Sequence, residues 1–320
     1  MSKYKKIDIS RVRTIKFDSR ETRSDKSNFG IPFDPDGSFG DFLKSLPRCL
    51  RARDLLDFSQ KIAKAAADGK AVIWMMGAHP LKVGLSPIIN NLVECGFVSH
   101  LAVNGAFVIH DFELAFFGRT SEEVSSGLKA GVFGMVEETP NLIFEAARLA
   151  DTADLGLGEG IGKYILDERP KFEKASVLGT CYKHDVPVTV HVAVGTDTIS
   201  QHPGFDGALF GALSNSDFLV FCQSISRLAG GVVINLGSAV VLPEVFLKAL
   251  TVARNIHGTI EDFSAANFDM IQHYRPNTNV VTRPVAGMGA GYSFTGHHEI
   301  NLPLLAAAIK YSHKGLSRGK

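Results

Sequence analysis

Short, fully apolar runs alternate along this chain with stretches of helical periodicity, and most of the runs end in a glycine or asparagine turn. Residues 71–76 (AVIWMM) and 231–236 (GVVINL) have no polar face. A strand of that kind must be covered on both sides, as in a parallel sheet held between two layers of helix. A further strand is expected over 100–103, one over 186–194 (VPVTVHVAV), and weaker ones over 260–266 and 292–295. Helical patterns fill the intervals at 54–67, 85–95, 122–130, 141–150, 172–184, 204–228, 243–253 and 302–311. The alternation predicts an α/β chain: a Rossmann-like, doubly wound, mostly parallel sheet with helices on both faces.

Residues 1–45 do not share this pattern. They mix Lys, Arg, Asp and Ser and then read FDPDG and GSFGD. They are expected to form an irregular N-terminal arm, followed by a single α/β domain over 46–320. Phe29, Ile31, Phe33 and Phe39 are too apolar for a free tail, so the arm should pack on its own body or on a neighbouring subunit.

The balance of 34 Lys and Arg against 33 Asp and Glu leaves a net charge of +1. No global field then favours nucleic acid or an anionic membrane. Cys49, Cys95, Cys181 and Cys222 are isolated, without a C-x-x-C pair, and read as small core residues in a reducing cytoplasm. The most apolar run, 228–242, is interrupted by Asn235 and Ser238 and is too short to span a bilayer. The glycine-rich stretch 155–163 (LGLGEGIGK) imitates a phosphate loop. Leu157 stands where the first glycine should be, and Tyr164 replaces the Ser or Thr that holds Mg²⁺. A flexible turn leading into a helix is expected there.

Three strand-to-helix junctions carry histidine: Gly77-Ala78-His79-Pro80, residues 104–113 (NGAFVIHDFE), and Gly296-His297-His298-Glu299. Parallel strands open their C-terminal ends at one edge of the sheet, so these histidines are expected to share a pocket. His110 and Glu113, three apart, would lie on one helix face and could act as acid–base partners or metal ligands. The plainer reading is a helix start whose acids favour the positive end of the dipole. His191, inside an apolar strand, reads as a hydrogen-bonded core histidine. Gly237 and Ser238 leave room for a ligand near the backbone, and a helix follows them. No G-x-G-x-x-G follows the first strand. Asp197, Asp206 and Asp269, on loops after strands, could bind a cation or an amine. Arg275-Pro276 and Arg283-Pro284 flank a polar loop that could close over a site.

The order of these segments resembles the deoxyhypusine synthase family. Met76-Gly77-Ala78-His79, Val83-Gly84-Leu85-Ser86 and the run from Asn104 to Asp111 are similar to that family's successive turns after its first strands. Lys183-His184-Asp185-Val186-Pro187-Val188 resembles its entry to a strand, and residues 231–244 resemble its glycine-rich strand-to-helix turn. Arg275-Pro276 and Leu302-Pro303-Leu304-Leu305 are similar to its Arg-Pro pair and closing helix. The resemblance implies a Rossmann-like fold and a homotetramer whose active sites are shared between subunits. It also implies an NAD-dependent transferase that oxidises a polyamine and passes an aminobutyl group through an imine on a lysine. Here Pro284 falls where that lysine should be, and Arg283 beside it cannot substitute. Thr278 and residues 270–272 have lost the acids that hold the polyamine. The NAD positions map onto His79, His110, His297 and His298.

Three readings of function follow. In the first, the protein is a divergent enzyme of this type. It is expected to be cytoplasmic and oligomeric, to use NAD, and to act on an amine or polyamine-like small molecule. His110 or His297 would move protons and Asp111 would orient them, while His79, Asn104, Gly105, Gly237, Ser238 and His298 approach the cofactor. In the second, His79, His110, Glu113 and His297 or His298 bind Zn²⁺, Fe²⁺ or Mn²⁺. In the third, the chain is a non-catalytic binding protein on an inherited fold.

Overall fold

The structure, a computed structural model, describes residues 2–318, and the chain divides after Arg53 into two compact units. The first holds three single 3-10 turns (Ile9–Arg11, Phe17–Ser19, Lys26–Asn28) and one short helix, α1 (Phe39–Ser45). A reciprocal capping box between Ser38 and Asp41 starts α1. Phe33 packs edge-on against Phe42 within this unit, 5.6 Å between ring centres.

The second unit is built on six strands: β1 (Val72–Met76), β2 (His100–Asn104), β3 (Val188–His191), β4 (Val232–Leu236), β5 (Phe263–Asp269) and β6 (Gly289–Thr295). All are parallel, in the order β3-β2-β1-β4-β5-β6. That is the doubly wound Rossmann-like order, and it reverses between β1 and β4. Helix α2 (Leu50–Ala67) precedes β1, and α3 (His79–Lys82) and α4 (Ser86–Glu94) follow it. Between β2 and β3 run α5 (Gly105–Phe117), α6 (Val124–Ala130), α7 (Glu138–Thr152), α8 (Leu157–Glu168) and α9 (Val177–Lys183). Helix α10 (Gly207–Ile225) joins β3 to β4, α11 (Val241–His257) joins β4 to β5, α12 (Tyr274–Pro276) lies between β5 and β6, and α13 (His298–Arg318) ends the unit.

The two-residue alternation along each strand separates the two cores. Trp74, Met76, Leu101, Val103 and Ile234 face one layer with Phe58 of α2, Ile89 of α4 and Leu305 of α13. Ile73, Met75, Ala102 and Val233 face the other, with Phe221 of α10 and Phe246 of α11. Burial on both faces explains why these strands are mostly apolar, with polar side chains such as His100 and Asn235 buried as well. His191 is the hydrogen-bonded core histidine its apolar surroundings suggested: Thr189 Oγ1 lies 3.0 Å from its Nε2 and 2.9 Å from Nε2 of His100. Burial pushes the His100 pKa down to about 3 and the His191 pKa to about 4.

Two expectations need correcting. The polar loop around residues 275–284 is helical, with α12 continuing into a π-helical turn, Asn277–Thr282. The glycine-rich stretch is not a flexible turn either, because α8 already begins at Leu157. Its glycines are packing positions. A Cβ on Gly158 would lie 2.2 Å from the Val188 carbonyl oxygen, one on Gly160 2.2 Å from the Ala150 Cβ, and one on Gly162 2.8 Å from the Tyr182 Cβ. These glycines let α8 close on β3, α7 and α9. Gly158→Ala must move backbone, so it is expected to lower stability by about 1–3 kcal/mol in urea unfolding. A variant as stable as wild type would show that α8 is not held this close.

Candidate functional site

Helix α5 begins directly at the end of β2. The Asn104 side chain caps it by accepting from Phe107 N at 3.0 Å. The Asp197 carboxyl, from the loop after β3, accepts from Ala106 N. Gly105 makes this approach possible, since a Cβ there would meet Asp197 Oδ2 at 2.0 Å. Asn104 and Gly105 thus serve the start of α5. From that start, Ala106, Ile109, His110, Glu113 and Phe117 form one stripe along α5 and line a cavity of about 550 Å³. The Thr196–His202 loop and residues between Arg119 and Pro140 complete its walls, and Lys82 at the end of α3 reaches it.

His110 and Glu113 are joined through Thr120. The Thr120 hydroxyl lies 2.5 Å from His110 Nδ1 and donates to Glu113 Oε2. Thr139 donates to the other carboxyl oxygen at 3.3 Å. A hydroxyl has one proton, and here it is committed to Glu113. His110 Nδ1 must therefore donate to Thr120, which leaves Nε2 as the unprotonated, basic nitrogen. Burial pushes the His110 pKa down to about 4, and the Lys82 charge adds to the effect. Burial also raises the Asp197 pKa to about 6, against the hydrogen bond from Ala106. The cavity therefore holds a neutral imidazole and a carboxyl that titrates near the physiological range.

A second cluster lies at the reversal between β1 and β4. Gly77 and Gly237 touch there, and a Cβ on Gly77 would lie 2.2 Å from the Gly237 carbonyl oxygen. Gly237 has φ +68°, and the His298 ring sits over it, Nε2 being 2.8 Å from where a Cβ would stand. His298 is only 1% exposed, and neither of its ring nitrogens has a hydrogen-bond partner among the described residues. Burial lowers its pKa, with Asp269 pulling the other way. The His79 ring is 5.5 Å from the His298 ring, centre to centre. Ser238 is buried, and its hydroxyl accepts from Leu242 N at 3.2 Å in the first turn of α11.

The structure therefore does not gather every candidate into one pocket. His110, Glu113, Asn104 and Gly105 stand at the end of β2, while His79, Gly237, Ser238 and His298 stand at the β1–β4 reversal. Two positions, and one proposed grouping, depart from what the sequence suggests. Asp111 points into the core, away from His110, and accepts from Ser176 Oγ at 2.5 Å, Val177 N at 2.7 Å and Leu178 N at 3.3 Å. It secures the start of α9 and cannot orient His110. His297 points to solvent, with a side chain 62% exposed and 3.7 Å from Glu299. The proposed metal ligands His79, His110, Glu113 and His297 do not converge. Among the described residues no group of three or more His, Cys, Asp or Glu is placed to hold a metal ion.

Thr120 and Thr139 were not legible as site residues, because each lies outside the periodic patterns. Asp197 was visible only as one of three loop acids.

No protein-family model matches the chain, and no curated protein does. Solved structures do match. AgrE in ternary complex with ornithine and NAD+ aligns over 86% of this chain and 35% of its own, at 12% identity and TM-score 0.52. ArgZ, an arginine dihydrolase from the ornithine–ammonia cycle in cyanobacteria, aligns over 83% and 33%, at 16% and 0.51. A candidate deoxyhypusine synthase from Entamoeba histolytica aligns over 87% and 95%, at 12% and 0.47. This chain spans about a third of the length of AgrE and ArgZ. At these identities the shared property is the Rossmann-like fold. Among the described residues no helix is long and apolar enough to cross a membrane.

Proposed function

We propose that this chain is an enzyme acting on an amine-bearing small molecule in the cavity beside His110, with a nicotinamide dinucleotide held at the β1–β4 reversal. The observation that carries the reading is the Glu113–Thr120–His110 chain, which presents a basic Nε2 in a cavity shared with Asp197. A carboxylate and a neutral imidazole suit an ammonium-bearing substrate: Asp197 pairs with the charge and His110 takes a proton. AgrE, with its bound ornithine and NAD+, shares the fold and supports the pairing of the two ligand classes.

The polar atoms at the reversal support a dinucleotide there. The buried His298 nitrogens lack partners among the described residues, which a ligand could supply. His79 and His298 would hold it. NAD+ would supply a two-electron acceptor there. Helix α3 links the two clusters, because His79 starts it and Lys82 ends it.

Transfer through a lysine imine is not part of this reading. Pro284 has no amine, and its carbonyl accepts from Arg254 Nη2 at 3.0 Å. A homotetramer, as the resemblance implies, and a reducing cytoplasm, as the isolated cysteines suggest, belong to the same proposal.

Thermal shift with NAD+, NADP+, ornithine, arginine and spermidine tests it. A ligand at one hundred times its Kd adds about 2.7 kcal/mol. Stabilisation by at least one amine is expected, abolished in Asp197→Asn, together with stabilisation by NAD+ that survives in Asp197→Asn and is lost in His298→Ala. Absence of any amine response, or an amine response indifferent to Asp197→Asn, would sink the substrate assignment. No response to NAD+ or NADP+ would sink the cofactor.

A further inference from the structure

Thr120 does not belong to the helix that carries His110 and Glu113. It lies on the segment 118–137, which leaves α5 at Gly118, includes α6 and returns to α7. This strap is tied to the rest of the fold at its far end. Gln201 Nε2 donates to the Phe133 carbonyl at 2.7 Å, and His202 Nε2 lies 2.7 Å from the Gly134 carbonyl. Glu122 accepts from Gly134 N at 2.8 Å and joins the two ends of the strap. Gly134 has φ +70°, and a Cβ there would lie 2.6 Å from atoms of both Thr198 and Gln201. Ser121, next to Thr120, has φ +69°, a conformation that residues with a side chain seldom adopt. The strap is thus held in one arrangement by contacts at both ends.

We propose that Thr120 is a positioning residue for His110: the strap, clamped on the Thr198–Gln201 turn, places the Thr120 hydroxyl between Nδ1 and Glu113 and thereby keeps Nε2 unprotonated. The reasoning is one of proton count. Glu113 Oε2 takes the hydroxyl proton, so Thr120 can only accept from the imidazole. With the strap lifted, Nδ1 loses its hydrogen-bond acceptor and keeps only Glu113 Oε2 at 3.8 Å, so that preference weakens and the ring is freer to carry its proton on Nε2. The cavity wall and the base are therefore assembled by the same movement. Residues 119–122, Val124, Phe133, Gly134 and Val136 of the strap supply wall positions, so an occupied cavity and a seated strap favour one another.

The inference rests on the acid–base role given to His110 above, but its test needs no substrate. Long-range ¹⁵N–¹H correlation spectra of the histidine side chains report the tautomer directly, and His110→Gln assigns the resonance by its loss. The ligand-free wild type is expected to show Nδ1–H, with a pyridine-type Nε2. Thr120→Val should move Nε2 toward the pyrrole-type range, and Thr120→Ser, which keeps the hydroxyl, should restore the wild-type pattern. Gly134→Ala, fourteen positions away, should reproduce the Thr120→Val spectrum by forcing the strap off its turn. Should Thr120→Val fail to fold, Thr120→Ala reads the same contact. A wild-type tautomer in both hydroxyl-free variants overturns the role of Thr120, and a wild-type tautomer in Gly134→Ala overturns that of the strap. If the tautomer behaves as stated while no amine binds, the positioning stands and the proposed function falls.

Discussion

Replacing Asp111 with alanine is expected to lower the unfolding free energy by about 3 kcal/mol while leaving the cavity chemistry in place. Asp111 is wholly buried and accepts three hydrogen bonds at the start of α9, from the Ser176 hydroxyl and the backbone N–H groups of Val177 and Leu178. Alanine leaves all three donors in the core without that acceptor. Denaturant unfolding should show a lower midpoint with an unchanged slope. The pH dependence separates this role from a catalytic one. Burial raises the Asp111 pKa to about 6, only partly opposed by its hydrogen bonds. The folded state therefore holds its proton more tightly than the unfolded chain. The titration contributes stability that is full below the ordinary carboxyl pKa and is lost as pH rises through about 6. The slope is on the order of 1.4 kcal/mol per pH unit. His100 and His191 act in the opposite direction. Their folded pKa values are about 3 and 4, so their stability is full above 6.5 and is lost as pH falls toward those values. Between pH 4 and 6 the two sets oppose each other in wild type. Asp111→Ala removes one member, so its stability should rise more steeply with pH across that window. A parallel pair of pH–stability curves would refute the assignment.

The sheet was legible because its strands are buried on both faces, and that condition writes itself into residues 71–76 and, Asn235 apart, 231–236. The junction histidines were legible as strand-end residues for the same reason. Which of them share space was not, because the pairing depends on strand order and helix packing. His79 and His298 meet because α13 returns from β6, at the sheet's edge, to pack against α3 and α4 beside β1, while His110 lies at the end of β2, on the other side of β1. Direction along a helix was equally hidden. Neighbouring residues point about 100° apart, so His110 faces the cavity and Asp111 faces α9. The glycines of α8 look like a loop by composition, but they are there because three neighbours come within a methyl group's distance. Asp217 shows the same limit from the other side. It shares the buried face of α10 with Phe210, Leu213 and Phe221, a pattern that could have marked it. Its partners, Gly158 N and Val190 N, are 59 and 27 residues away.

His110→Ala carries the largest expected functional effect: loss of a general base of this kind lowers turnover by about 10²–10⁴-fold. Stability should change by less than about 1 kcal/mol, since the ring lines a cavity and fills no core position. The pH profile of kcat/KM then distinguishes the two groups proposed to meet the substrate. His110 has a folded pKa of about 4, so it is already a free base throughout the neutral range and adds no titration near 6.5. Asp197, at about 6, is the group that changes charge there. As pH falls through 6, Asp197 takes up a proton and loses its attraction for an ammonium group, so kcat/KM should fall first at that point. A second fall is expected near 4, where His110 protonates. Asp197→Asn should lower kcat/KM at neutral pH through a higher KM and should abolish the limb near 6, leaving only the one near 4. A limb near 6.5 that persists in Asp197→Asn would mean that His110 titrates as an ordinary, solvated imidazole. The burial and the Thr120 contact argued for it would then not describe the working enzyme.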